Sequence, residues 1–479
     1  MQILEGLQER RKAQLEASFH AFVVDAFEVL HPGQTIVDNW HIKYLCQVLQ
    51  AEMERLVRGE SKQRDIIINV PPRSLKSFVT TICLPAYAWT LDPRLKFISS
   101  SYSSDLSIEH NTATRRLVES EWYQAFWGKS VILADDQNAK GKFETTKQGL
   151  RRATSTGSAV TGSGADVIVV DDPTNPRLAA SALTRKEAND FFDQTLSTRL
   201  NNPDTGLFLV IMQRLHEQDL TGHLLGKNPQ RWQHICIPAE VSEQVKPASL
   251  ARYYREGLFF PNRFNRSLLA SLKVDLGSYG YAGQFEQRPS PEEGGLLKKA
   301  WFPILDYTDF QRLVGSRPKV EFFLDTAYTE QQHNDPTALL ACCYHNGNLY
   351  VLDSETVRME LPALLKHIPS YVARVGGDAR SAVRIEPAAS GLSILQSLKK
   401  LPGLNVTPLP KPKDAKEVRV AGISPFVEAG RCYLIRAAWN DSFLVEVAAF
   451  PNGAHDDQVD NLTAAITYYT TSKNTFAYA

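Results

Sequence analysis

Chemistry-bearing side chains gather in a few short stretches of this chain. The first is Asp65-Ile-Ile-Ile-Asn-Val70-Pro71-Pro72-Arg73-Ser74-Leu75-Lys76-Ser77, an apolar run, a proline pair and then a basic and a hydroxyl residue. A buried strand, a tight loop and a helix N-terminus in that order present backbone N–H groups to an anion. Lys76 is then placed to reach the β and γ phosphates of a nucleotide, and the Ser77 hydroxyl to hold Mg²⁺. Val70 and Leu75 stand where G-x-x-x-x-G-K-[ST] has its glycines, and a plain strand–helix turn with an exposed Lys-Ser pair is the alternative reading. The second stretch, Ala165-Asp-Val-Ile-Val-Val170-Asp171-Asp172-Pro173, is an apolar strand ending in paired carboxylates. Asp171 can orient Mg²⁺ and Asp172 can polarise an attacking water, which needs a carboxylate just beyond the strand end. A third apolar run ends in Met212-Gln213-Arg214, polar groups placed to sense a γ-phosphate.

The second half of the chain carries acids at the ends of separate elements. Asp325 closes Val320-Glu-Phe-Phe-Leu324, and Glu386 closes Val383-Arg-Ile385. Asp456, Asp457 and Asp460 open a C-terminal helix in which i,i+3 and i,i+4 spacing puts Asp460 on a face with Asp457 or Asp456. Carboxylates in this number repel one another unless cations bind them. Two divalent ions, Mg²⁺ or Mn²⁺, about 3.5–4 Å apart would activate water and stabilise the leaving 3′ oxygen of a phosphodiester. Lys411, Lys413, Lys416 and Arg419 add local positive charge for a DNA backbone, the other reading being a solvated hairpin.

The elements that must position these residues follow from the hydrophobic pattern. Apolar spacing over residues 1–30 predicts one N-terminal helix, stopped by His31-Pro32-Gly33. Strand-like runs at 66–70, 95–99, 167–170 and 207–211 alternate with helical stretches, which predicts a parallel α/β sheet. Two prolines and two glycines in Arg288-Pro-Ser-Pro-Glu-Glu-Gly-Gly295 mark a linker. Beyond it, runs at 337–344 and 349–352 flank the hairpin signal His345-Asn346-Gly347-Asn348. A helix, a strand ending at Glu386, a further hairpin and a C-terminal helix would complete a second α/β fold.

Composition narrows the class. At 479 residues, with 43% hydrophobic and 22% charged residues, the chain is long and apolar enough for two or three globular domains, so disorder and a single small module are excluded. The 53 basic and 53 acidic residues cancel, so any DNA contact must come from local patches. Six scattered cysteines without metal-ligand spacing read as buried thiols of a reducing compartment. No run approaches the length of a membrane span and the charged N-terminus is not signal-like, so the expectation is a cytoplasmic protein without a membrane partner.

Taken together and in order, these segments resemble the large terminase subunit of tailed bacteriophages. Val70-Pro-Pro-Arg-Ser-Leu-Lys-Ser77 is similar to that family's P-P-R-x-G-K-S loop, and Ser99-Ser-Ser-Tyr-Ser-Ser-Asp-Leu106 to the segment after it. Residues 161–173 are similar to its Walker B region, Gln213-Arg-Leu-His-Glu-Gln-Asp-Leu-Thr-Gly222 to its coupling motif, and residues 287–295 to its inter-domain linker. In the second half, Asp325-Thr-Ala-Tyr, Asn334-Asp-Pro-Thr337 and residues 450–460 look like the terminase nuclease.

The resemblance implies a P-loop ATPase domain at 1–240, a lid subdomain and linker at 241–300, and an RNase H-like nuclease domain at 301–479. It implies that Pro72, Arg73, Ser74, Leu75, Lys76, Ser77, Asp171, Gln213 and Arg214 bind ATP and its Mg²⁺, with Asp172 catalytic. The segment Asp38-Asn-Trp40-His41 falls where the family reads the adenine, ordinary packing of Trp40 being the alternative. Asp325, Glu386 and Asp456, with Asp457, would hold the nuclease metals, and Asp335 and Asp460 would support them. Arg151 and Arg152, read as a polar loop, are the candidates for an arginine finger acting in trans. The function implied is ATP-driven transport of double-stranded DNA through the portal of a procapsid, with cleavage of the concatemer. A small terminase subunit, a ring of copies forming on assembly from a monomer in solution, and a place in the host cytoplasm but not in the mature virion are implied with it. A helicase-like translocase without nuclease activity, a transposase- or resolvase-type nuclease, and a non-catalytic DNA-binding scaffold remain open on the residues alone.

Overall fold

The computed structural model describes residues 2–158, 162–289, 295–326, 337–386, 389–401, 403–451 and 456–471. They form two compact units, Met1–Lys273 with Tyr279–Ser290, and Val274–Ser278 with Pro291–Ala479. Residues 241–273 fall within the first unit.

The first unit is built on eight strands: β1 (Asp65–Asn69), β2 (Lys96–Ser101), β3 (Leu133–Ala139), β4 (Lys142–Thr145), β5 (Leu150–Ser155), β6 (Val167–Asp171), β7 (Leu207–Met212) and β8 (Trp232–Cys236). Their order is β3-β4-β5-β2-β6-β7-β1-β8. The six strands from β5 to β8 in that order run parallel, and β4 pairs antiparallel with both β3 and β5. Helices cover a parallel sheet on both faces, so its central strands carry apolar residues at every position. In β1, β6 and β7 every residue is buried. One face packs Ile67, Ile98, Ile168, Val170 and Val210 against Phe192, Phe208 and Trp232. The register aligns Asn69 with Met212 and Asp171 with Ile211. The carboxyl ends of β1, β7 and β6 therefore lie side by side, the edge at which open α/β sheets bind ligands.

Three local readings change. The N-terminal helix is two helices, Gln2–Glu16 and Phe19–Leu30, because Ser18 caps the second by accepting the Ala21 N–H. Arg151 and Arg152 sit in β5, not in a loop, and Arg151 is fully buried. The residues after the phosphate loop begin as a wide π-helical turn, Phe78–Cys83, before the α-helix Leu84–Leu91.

The second unit holds β9 (Ile304–Leu305), β10 (Glu321–Thr326), β11 (Thr337–His345), β12 (Asn348–Val357), β13 (Val383–Ile385), β14 (Val406–Pro408) and β15 (Cys432–Ile435). Their order is β14-β13-β10-β11-β12-β15-β9. β10, β11 and β12 are antiparallel neighbours, and the outer strands join parallel. The expected hairpin is present: Asn346 and Gly347 take φ of 48° and 83° between β11 and β12, the left-handed pair that a two-residue turn needs. One face of the sheet buries Phe322, Leu324, Leu339, Val383 and Ile385 against Leu364, Ile368, Tyr371 and Leu398. The helix Asp457–Thr471 packs on β10 and β11 with Val459, Leu462, Ala465 and Ile466 buried. Among the described residues no second hairpin follows Glu386. Residues 411–415 are coil leading into the helix Lys416–Glu428, β15 is parallel to β12, and a helix Asn440–Ala449 precedes the C-terminal one. All six cysteines are buried and unpaired. Among the described residues no helix is long and apolar enough to cross a membrane.

Candidate nucleotide site and acidic cluster

The loop after β1 wraps a cavity of about 840 Å³ lined by Pro72, Arg73, Leu75, Lys76, Ser77, His110 and Asp172, among others. Arg73 and Leu75 both take φ of 61°. Left-handed backbone costs a residue with a Cβ about 1–2 kcal/mol, so the loop adopts at Leu75 the conformation for which a glycine is the easy choice. Ser74 fastens the turn, its Oγ donating to Pro71 O at 2.7 Å.

Two carboxylates meet the loop. Asp171, at the buried end of β6, accepts from Ser77 Oγ at 3.0 Å and from Thr81 Oγ1 at 2.7 Å. Lys76 donates to the Asp172 carboxylate and stands 3.7 Å from Asp171. Burial alone would push the Lys76 ammonium down, but Asp172 and Asp171 outweigh it and hold its pKa above the ordinary value. Asp172 itself sits at φ 44° with its N–H on Ile211 O, a left-handed turn that swings the second carboxylate off the strand axis toward Lys76. Lys76, Ser77, Asp171 and Asp172 are thus brought together.

Behind them lies a polar group that sequence patterns do not show. Arg151 donates to Thr81 O at 2.7 Å and to Ser99 Oγ, and burial lowers its pKa to about 9 against the pull of Asp171. A buried side chain committed to its own chain cannot reach a neighbour, which removes Arg151 as a finger acting in trans. Arg152 donates to Ser163 Oγ. His110, on the helix Ser104–Glu119, lies 3.7 Å from Asp171, and its buried Nδ1 has no hydrogen-bond partner among the described residues. Arg263 also lines the cavity. Neither His110 nor Arg263 belongs to a motif read from the sequence, although His110 lies only four residues beyond the Ser99–Leu106 segment.

Gln213 is buried, with its Oε1 unpartnered among the described residues. Arg214 points elsewhere: its Nε donates to both oxygens of Asp219 at 3.1 and 2.9 Å, and its N–H reaches Gln287 Oε1 at 3.0 Å. Asp219 caps the helix Leu220–Lys227, so Arg214 joins the end of β7 to that helix and to the segment before the linker. Trp40 stacks on Tyr253 at 5.3 Å and donates its Nε1–H to Phe259 O at 2.9 Å, which is intrachain packing.

The nucleotide chemistry expected here fits the residues present. A cavity of that size, a loop with a lysine at its centre, a hydroxyl and a carboxylate 3.0 Å apart, and unpartnered polar atoms at His110 and Gln213 are the features a metal–polyphosphate group calls for.

In the second unit β10 and β13 run parallel with Leu324 opposite Ile385, so Asp325 and Glu386 emerge side by side. The pKa of Asp325 is raised to about 7 by burial, then by the charges of Asp460, Asp457 and Glu386. That of Glu386 is raised too, by burial and by Asp460, against Arg419 and Lys416. Asp457 and Asp460 share a face of the first helical turn. Asp456 is set apart: it precedes that turn, its carbonyl accepting the Asp460 N–H at 3.1 Å, and its carboxylate pairs with Lys416 at 2.8 Å. Lys416 also pairs with Asp460 at 2.6 Å, and Arg419 donates to Asp460 at 3.1 Å. Asp335 lies outside the described residues. Among those described, no three acidic or histidine side chains stand ready to grip one ion; the ammonium of Lys416 lies between carboxylates instead. The donor chemistry fits hard divalent cations, since it is all carboxylate oxygen with more negative charge than Lys416 and Arg419 balance.

Residues 323–468 match the family model of the terminase RNase H-like domain. Residues 323–468 are a terminase RNase H-like domain. This match bears out the resemblance to the large terminase subunit over these residues, and the antiparallel β10-β11-β12 core with parallel outer strands bears out the fold. Solved structures similar to the chain include three large-terminase structures. The large terminase of a thermophilic bacteriophage in complex with ADP has 11% identity and a TM-score of 0.46, covering 87% of this chain and 98% of that one. The large terminase of bacteriophage HK97 has 13% identity and a TM-score of 0.38, covering 94% and 100%. The large terminase nuclease of thermophilic phage G20c with bound cobalt has 16% identity and a TM-score of 0.28, covering 37% and 98%. No curated protein matches the chain by sequence.

Proposed function

We propose that this chain is the large subunit of a viral DNA-packaging motor, an ATPase that moves double-stranded DNA into a procapsid and an endonuclease that cuts the concatemer. The observation that carries the reading is a phosphate loop with Lys76, Ser77, Asp171 and Asp172 converging at the sheet edge, in one chain with a terminase RNase H-like domain.

In the first unit, the loop N–H groups, Lys76 and Arg73 bind the β and γ phosphates, and Ser77 and Asp171 hold Mg²⁺. When bound, that ion neutralises charge building on the transferred phosphoryl group. An incoming polyphosphate competes with Asp172 for Lys76. Its arrival frees the Asp172 carboxylate to orient and deprotonate the attacking water. Gln213 faces the same edge and reports the phosphates to Arg214, whose ties to Asp219 and Gln287 carry a shift of β7 outward.

In the RNase H-like domain, Asp325, Glu386 and Asp456, with Asp457, would hold divalent ions, and Asp460, paired with Lys416 and Arg419, would support them. When bound, the ions supply an activated water and stabilise the leaving 3′ oxygen. Lys416 and Arg419 draw the DNA phosphate toward the acids, and Lys411 and Lys413 extend that positive surface. The partners proposed with this reading are DNA, a small terminase subunit and a portal. The chain would be a monomer that forms a ring on assembly in the host cytoplasm and is absent from the mature virion.

Plasmid cleavage with Mg²⁺ or Mn²⁺ tests the reading, run beside ATP hydrolysis with and without DNA. Cutting lost in Asp325→Ala and turnover lost in Lys76→Ala are expected. Turnover without cutting under either metal would favour a translocase; neither activity would favour a scaffold.

A further inference from the structure

The phosphate loop carries a leucine where left-handed backbone is required, and something must hold it there. His41 is fully buried and its Nε2 lies 3.0 Å from Ser74 O, the carbonyl of the peptide that leads into Leu75. Its other nitrogen, Nδ1, accepts from Asn39 Nδ2 at 2.7 Å. An amide N–H on Nδ1 leaves the imidazole proton on Nε2, so His41 donates to the Ser74 carbonyl. Burial lowers the His41 pKa to about 4, which keeps the ring neutral at ordinary pH. The ring is itself walled in, 5.0 Å from Phe259 and 5.3 Å from Phe260, and Asn39 Nδ2 reaches Phe259 O at 2.8 Å.

We propose that Asn39 and His41 form a latch that fixes the Ser74–Leu75 peptide, so that a non-glycine phosphate loop keeps its anion-binding shape. This rests on the nucleotide reading above. The peptide between Ser74 and Leu75 can point its carbonyl inward, with Leu75 at φ 61°, or flip to let Leu75 relax into an ordinary basin. Flipping turns the Leu75 N–H, one of the donors beside Lys76, away from the phosphates. A donor locked by Asn39 and by two phenylalanines opposes the flip, because breaking its hydrogen bond would strand a buried N–H. A glycine needs no such latch, since left-handed backbone costs it nothing. His41 is thus a positioning residue that acts through the loop and does not touch the nucleotide. The stretch Asp38–His41 therefore meets the phosphate loop through His41.

The test is a double-mutant cycle in the full chain, read as binding of Mg²⁺–ATP-γ-S by calorimetry, with melting temperature measured for every variant. His41→Phe keeps the ring packing and removes the donor. It should weaken binding about tenfold while the companion change Leu75→Gly reduces that penalty to about threefold or less. His41→Gln, whose amide can still donate, should recover part of the loss. Should His41→Phe fail to fold, His41→Leu in both backgrounds takes its place. An equal penalty with leucine or glycine at position 75, or a larger one with glycine, overturns the latch. A wild-type chain that binds no ATP-γ-S overturns the nucleotide reading first, and the latch with it.

Discussion

Asp325 illustrates how far a single side chain reports on its surroundings. Its carboxyl titrates near 7 because burial and three acids disfavour its charge. The unfolded value is about 3.9, so the folded state holds this proton more tightly. The stability this group contributes is present below about pH 4 and is lost as pH rises through about 7. With chelator present, the melting temperature of the RNase H-like domain should fall across that window, and Asp325→Asn should flatten the fall. Mg²⁺ should raise the melting temperature at about pH 8 and do little at about pH 5, where protons occupy the acids; the same calorimetric scans check both. At the other site, Arg263 lines the cavity that Lys76 and Arg73 line. If it meets the phosphates, Arg263→Ala should raise KM for ATP about tenfold with a smaller change in kcat, the pattern of lost ground-state binding. Steady-state kinetics decide it.

Elements were legible where one pattern dominated. The buried runs of β1, β6 and β7 are apolar at nearly every position, and Asn346-Gly347 has one good solution between two apolar runs, so these strands and this hairpin can be read directly. Where reading failed in the sheet, it depended on partners far along the chain. Two adjacent arginines look like a solvated loop until Ser99 and Thr81 O are found around Arg151 inside the sheet. The same holds for the acids. Helical spacing allows Asp460 to share a face with Asp456 or Asp457, and only the folded chain shows that the charges of Asp457 and Asp460 reach Asp325 while Lys416 pairs with both Asp456 and Asp460. The break at Ser18 was available, a serine cap before an apolar face, but it is hidden by continuous helical periodicity on both sides. Its hydroxyl supports one backbone N–H, so Ser18→Ala should cost about 1 kcal/mol in chemical denaturation, with ATP turnover unchanged.

At the scale of the molecule, the two proposed chemistries fall in separate compact units, each with its own sheet and core. The nucleotide cavity is lined from residues 30–263, and the acids and their cations come from residues 325–460. Separate sites predict separable losses. On the function proposed above, Lys76→Ala removes a cation for the β and γ phosphates, so ATP turnover should fall by about 10² or more, while metal-dependent nicking of plasmid persists. Asp325→Ala should abolish nicking and leave DNA-independent ATP turnover intact. Packaging of DNA into procapsids requires translocation throughout and cutting only at the ends. A pre-cut linear substrate should therefore be packaged by Asp325→Ala but not by Lys76→Ala, whereas a concatemer should be processed by neither. If Asp325→Ala failed to package the linear substrate, the acids would have a part in moving DNA as well as in cutting it. Division of labour between the two units would then have to be abandoned.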